Sequence, residues 1–120
     1  MYLKKHKTII IAEAGVNHNG KIHLAKKLID VASKSGADYI KFQTYDVDSL
    51  ILRNTKTADY QKKNFNYNLS QYSMLKKYQL SSNDHKVLIN YSKKKKIKFL
   101  STAFDEKSFE LLNKYKLDYI

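Results

Sequence analysis

Three strand-like apolar runs, each followed by a helix-like stretch, predict an α/β fold on a parallel sheet, either doubly wound or closed as a barrel. Strand parity chooses between the two. In "YIKFQT", residues 39–44, Tyr39, Lys41 and Gln43 point to one face while Ile40, Phe42 and Thr44 point to the other. An open parallel sheet is covered on both sides and tends to be apolar throughout, so a lysine and a glutamine on one face of a central strand are costly there. Near the mouth of a barrel they have a use. The expected fold is therefore the amino-terminal half of a TIM (β/α)8 barrel, about three and a half βα units in one domain over residues 1–120.

The elements follow from the hydrophobic pattern. Thr8 to Ala12 reads as a first strand, and Ile22 to Ser35 as a helix with Leu24, Leu28 and Val31 on one face, widened by Ala25, Ile29 and Ala32. Gly36 supplies the residue most often found just past a helix end. Asp38 to Thr44 is the second strand. From Tyr45 to Leu80 the pattern weakens, apart from a short helix around Ser70 to Tyr78. Its tyrosines and Leu50, Ile51 and Leu52 argue against disorder, so this stretch reads as a lid or wall over a site. Ser81 and Asp84 form a Ser-x-x-Asp capping box, with Leu80 as staple, opening a helix to about Lys95 that turns Val87, Leu88 and Tyr91 inward. Ile97 to Thr102 is a third strand, and Asp105 to Tyr115 a helix burying Phe109 and Leu112. "LDYI" begins a fourth strand.

Composition narrows the function classes. Cysteine is absent, which excludes disulfides and thiolate chemistry. The apolar stretch from Ile9 to Ala12 is too short for a signal peptide, and no run is long enough to span a bilayer, so a cytoplasmic protein without membrane attachment is expected. The net charge is +12, from 23 basic and 11 acidic residues. These lysines are scattered along the whole chain, proline is absent and glycine occurs three times, which fits a compositional drift at exposed positions better than a nucleic-acid surface.

Three strands end in chemistry-bearing residues. Glu13 shares a side with Ile9 and Ile11; Lys41 and Gln43 share a side of strand 2; Thr102 shares a side with Lys98 and Leu100. In a barrel these strand ends gather at the rim where catalysis takes place. A carboxylate, an ammonium and a hydroxyl there suit an anionic substrate, with Lys41 pairing the anion, Thr102 donating a hydrogen bond and Glu13 moving a proton. The structural alternative is that Glu13 and Lys41 neutralise each other as an ion pair and that Thr102 only ends its strand. His18, in an Asn-His-Asn-Gly turn, has no partner at metal-ligand spacing in His6, His23 or His85, so no metal ligand is assigned.

The blocks "IIAEAGVNHNG", "AKKLIDVASKSGADYIKFQTY", "ADYQKKN", "SQYSMLKKYQLS" and "FLSTAFD" together resemble the amino-terminal part of the N-acetylneuraminate (sialic acid) synthase family, which includes the legionaminic acid synthases. "GVNHNG" is closer to the sialic and legionaminic branch than to the pseudaminic one. The resemblance implies a transferase of carbohydrate biosynthesis that condenses phosphoenolpyruvate with an N-acetylmannosamine-type sugar on a TIM barrel, assisted by Mn2+ or Mg2+. By position it makes Glu13 the acidic residue that handles protons near the reacting carbons, Lys41 a phosphoenolpyruvate-binding lysine, Gln43 a sugar contact and Thr102 a phosphate contact. Asn66, in the variable loop, matches a further sugar contact. The metal-binding histidines, the remaining phosphate-binding residues and a carboxyl-terminal antifreeze-like domain would lie beyond Ile120, and the full-length protein would be a homodimer.

Two residues depart from the family pattern. Ala103 stands where the family has the proline of "STPF", and Lys96 where a glycine ends the helix before strand 3. A lysine in a left-handed position would cost on the order of 1 kcal/mol. A TIM barrel takes about 250 residues, so half a barrel would leave sheet edges and an apolar face open. The isolated chain is therefore expected to be inert and to depend on another chain or on further sequence. A non-catalytic remnant of a truncated or split gene, and a basic nucleic-acid-binding module, are the competing readings.

Overall fold

The computed structural model describes residues 7–50 and 65–120. In chain order it forms β1 (Ile11–Gly15), α1 (Ile22–Lys34), β2 (Tyr39–Thr44), α2 (Phe65–Tyr78), α3 (Ser82–Lys94), β3 (Lys98–Ala103) and α4 (Glu106–Asn113). The three strands are parallel and lie in the order β1-β2-β3, each beside its sequence neighbour. A barrel and one half of a doubly wound sheet share this order over three strands.

One face of the sheet carries the core. Ala25, Ile29 and Ala32 recur at helical spacing on α1 and are buried, as are Leu88 and Ile89 of α3. They pack with Ala14, Ile40, Phe42 and Phe99 from the strands. The Phe42 and Phe99 rings stack at 5.4 Å. Truncating Phe42, which is fully buried, to alanine would cost about 3–5 kcal/mol. The small residues of α1 face inward, letting the helix approach the sheet closely, and Val31, expected on that face, is 62% exposed.

The helix ends obey local chemistry. The Ser81 hydroxyl accepts the Asp84 N–H at 3.1 Å while the Asp84 carboxylate accepts the Ser81 N–H at 2.8 Å, so the expected capping box is present. Gly36 follows α1 at φ 78°. Lys96 follows α3 at φ 58°, so the substituted glycine position is indeed left-handed, and Lys116 follows α4 at φ 51°. Asp105 caps α4, accepting the Ser108 N–H at 2.8 Å, and its carboxylate also accepts the Asp46 N–H at 2.7 Å.

Several expectations are corrected. β1 begins at Ile11 and ends at Gly15, three residues later at each end than the expected Thr8 to Ala12, and the exposed Ile10 is engaged by Asp38, whose carboxylate accepts its N–H at 2.9 Å. α2 is longer than the short helix expected at Ser70 to Tyr78. Phe109 is 51% exposed, leaving Leu112 and Ser108 as the buried side of α4. "LDYI" is not a strand: the Asp118 carboxylate accepts hydrogen bonds from the Tyr39 hydroxyl at 2.7 Å and from the Lys98 ammonium at 2.6 Å, and the Tyr119 ring lies 5.9 Å from that of Tyr39. Of the expected lid, Leu50 closes a helical turn over 47–50 and α2 is described, whereas Ile51 and Leu52 lie outside the described residues.

Candidate active site

Register brings the predicted residues together. Glu13 pairs with Lys41 and Lys41 with Leu100, while Gln43 pairs with Thr102 one pleat further along. All four polar side chains therefore lie on the face opposite the core helices, at the carboxyl ends of their strands. The Lys41 ammonium is 2.7 Å from a Glu13 carboxylate oxygen. Both side chains keep more than a third of their surface in solvent, so the pair contributes about 0–1 kcal/mol to stability. Beside it Lys41, Leu100, Thr102, Ile11, Tyr119 and Ile120 line a hollow of about 190 Å³.

A bulge shapes the end of β1. The ladder shifts between Glu13 and Gly15, and Gly15 takes φ 53°, a conformation that L side chains rarely adopt. A Cβ there would sit 3.4 Å from Glu13 Oε1 and 3.7 Å from Gln43 Nε2, so Gly15 leaves open the space between these two groups. The following turn is built by its own polar residues. The Asn17 side chain donates to the Ala14 carbonyl at 3.0 Å, and Asn19 and Gly20 take φ 53° and 70°. Gly20 backs onto the last turn of α2, where a Cβ would fall 2.0 Å from the Lys77 carbonyl oxygen.

His18 is fully buried in this turn rather than presented to the site. Its Nδ1 accepts the Gly20 N–H at 3.0 Å, so the proton of the neutral ring is on Nε2, which meets no partner among the described residues. Burial holds its pKa below the ordinary histidine value, opposed by Asp84 and aided by His85. Asn66 falls in the first turn of α2, its side chain outside the described residues. No group of three or more His, Cys, Asp or Glu among the described residues could hold a metal ion.

Sequence reasoning missed a second polar cluster, on the helix side of the same strand ends. His85, Thr44 and Ser101 are buried and joined by hydrogen bonds of 2.7 and 2.6 Å. The hydroxyls on Thr44 and Ser101 beside two site residues were the available signal, but their union with a histidine 41 residues from Thr44 has no local signature. No described helix is long and apolar enough to cross a membrane. Among the described residues six lysines are engaged in ion pairs.

Three parallel strands in sequence order, with a carboxylate, an ammonium, an amide and a hydroxyl at their carboxyl ends, define an α/β protein built on a parallel sheet. Residues 28–120 match the NeuB family, and the chain belongs to it. It is 50% identical over 111 residues to the N,N'-diacetyllegionaminic acid synthase of Campylobacter jejuni, covering 92% of this chain and 33% of the relative. The N,N'-diacetyllegionaminic acid synthase of Legionella pneumophila is 48% identical over 103 residues, covering 86% of this chain and 29% of the relative. The solved N-acetylneuraminic acid (sialic acid) synthetase of Leptospira borgpetersenii superposes with a TM-score of 0.73 at 27% identity, over 98% of this chain and 39% of that one. The chain spans about a third of the length of the curated relatives it matches.

Proposed function

We propose that this chain supplies the first strand-end half of the active site of a nonulosonic acid synthase, on the amino-terminal part of a TIM barrel. The reaction would join phosphoenolpyruvate to an N-acetylmannosamine-type sugar and release phosphate. The observation that carries the reading is the convergence of Glu13, Lys41, Gln43 and Thr102 on one face by strand register, in a chain 50% identical to a legionaminic acid synthase.

Each residue has work suited to its chemistry. Lys41 offers a full positive charge to the anionic groups of phosphoenolpyruvate, and Thr102 donates a hydrogen bond to the phosphate. Gln43, beside Thr102 in the register, presents an amide to the sugar. C3 of phosphoenolpyruvate attacks the aldehyde carbon, forming the new C–C bond and leaving a cation at C2, while the aldehyde oxygen takes a proton and becomes a hydroxyl. Water adds at C2 with loss of a proton, and the C2–O bond to phosphate then breaks as the new C2 hydroxyl gives up its proton and becomes the keto group. Glu13, 2.7 Å from Lys41, handles a proton near the reacting carbons. When an anion takes the Lys41 ammonium, the Glu13 carboxylate is released from its ion pair.

The Mn2+ or Mg2+ that the resemblance implies finds no ligand set in the described residues, so no step is assigned to it on this chain. Its ligands, a homodimer interface and a cytoplasmic location belong to the same proposal, with neither a membrane nor a nucleic acid as partner. Phosphate release from phosphoenolpyruvate that requires the amino sugar, measured on the full product of the gene carrying these residues, tests the reading. Release without the sugar, or none at all, would overturn it.

A further inference from the structure

The buried hydroxyls behind the site have a defined direction. The Ser81 carbonyl can only accept, so the 2.7 Å contact to it makes His85 Nδ1 the protonated nitrogen of the neutral ring. His85 Nε2 then accepts the Thr44 hydroxyl at 2.7 Å, and the Thr44 oxygen accepts the Ser101 hydroxyl at 2.6 Å. A single chain of donors thus runs from β3 through β2 to α3. Thr44 adjoins Gln43 and Ser101 adjoins Thr102, with each pair split between the two faces of its strand. The ladder runs one rung past Gln43 and Thr102, to Thr44 and Ala103, where the Phe104 N–H donates to the Thr44 carbonyl at 3.0 Å, and the side-chain chain crosses from strand to strand at this end of it.

We propose that Ser101, Thr44 and His85 are positioning residues for the strand-end site, holding Gln43 and Thr102 side by side from the opposite face of the sheet. The inference rests on the reading of Gln43 and Thr102 as substrate contacts. The charged and titratable groups facing His85 are Asp84 on its own helix and His18 from the β1–α1 turn, while β2 and β3 present only the two hydroxyls and the Phe99 ring, 6.5 Å away. Burial keeps the ring neutral at ordinary pH, the state in which Nε2 can accept. Protonation would turn Nε2 into a donor and force the Thr44 O–H to turn away from it.

Thr44→Val keeps the shape and removes the link, and Thr44→Ser restores it. In the full gene product, Thr44→Val should lower kcat/KM about 10- to 100-fold at unchanged fold, with Thr44→Ser within about twofold of the parent, since a shift of about 1 Å at a site has that size of effect. The low-pH limb of the rate should move in Thr44→Val and return in Thr44→Ser. If Thr44→Val does not fold, Ser101→Ala should show the same direction of loss. Nitrogen-15 histidine spectra of the full gene product should show His85 protonated on Nδ1, and Thr44→Val should displace the amide resonances of Gln43 and Thr102. A ring protonated on Nε2, or a kcat/KM for Thr44→Val within about twofold of the parent, would overturn the proposal. Parent protein without turnover would overturn the functional reading alone, and the spectra would then decide this inference.

Discussion

Lys41 Nζ stands 2.7 Å from the Glu13 carboxylate at the last regular step of the β1–β2 ladder, immediately before the bulge that ends at Gly15. Half-exposed and worth little to stability, the pair is easily opened by a competing anion. In the full synthase Glu13→Gln should lower kcat by about 10²–10⁴-fold while the affinity for phosphoenolpyruvate stays largely intact. Lys41→Met should instead weaken phosphoenolpyruvate binding. Steady-state kinetics and equilibrium binding separate the two, and unchanged turnover in Glu13→Gln would remove its assigned role.

Gly20 tests whether α2 is seated on the Asn-His-Asn-Gly turn. An alanine there would place a methyl in the Lys77 carbonyl and strain a φ of 70°, so Gly20→Ala should destabilise by about 1–3 kcal/mol. Chemical denaturation measures the loss. Gly20→Ala with parental stability would mean that α2 does not rest there.

Lys96 offers a gain. Its φ of 58° suits glycine, and Lys96→Gly should stabilise by up to about 1 kcal/mol, less the entropy that glycine adds to the unfolded chain. Lys96→Ala keeps the Cβ and should give no such gain. A rise in melting temperature confined to the glycine variant checks this.

Acid should act through two kinds of group. His18 and His85 have pKa values lowered by burial, so the unfolded chain binds more protons and stability falls as pH drops below about 6.5. Asp46 is held at about 2 by hydrogen bonds from Lys107 and Ser49, so its contribution is complete above about 4 and is lost as pH falls toward 2. Allowing for the exposed Lys107, Asp46→Asn should cost about 1 kcal/mol at pH 7, with the difference from the parent shrinking between pH 4 and 2. Denaturation midpoints across pH for the parent and this variant test both statements.

What could be read from the sequence was what is local or periodic. The α3 capping box is a four-residue signature, and the alternation in "YIKFQT" was enough to put Lys41 and Gln43 on one face. β1 was misplaced because Ile9 and Ile10 are apolar yet exposed, and their role is settled by Asp38, which lies 28 residues from Ile10. The side of α1 that packs was decided by how closely small residues allow the sheet to approach, a tertiary matter. Phe109 fits a helical stripe and still faces outward, since a helix of eight residues buries only what its neighbours cover. The His85–Thr44–Ser101 link joins three elements, and neither hydroxyl differs in local pattern from an ordinary strand residue.

The most direct test of the central claim is phosphate release from phosphoenolpyruvate with and without an N-acetylmannosamine-type sugar, comparing the full gene product, its Glu13→Gln variant and the 120-residue chain. Sugar-dependent release by the full product, lost in Glu13→Gln and absent from the 120-residue chain, is the predicted result. Release that ignores the sugar, or that survives Glu13→Gln unchanged, would contradict the account.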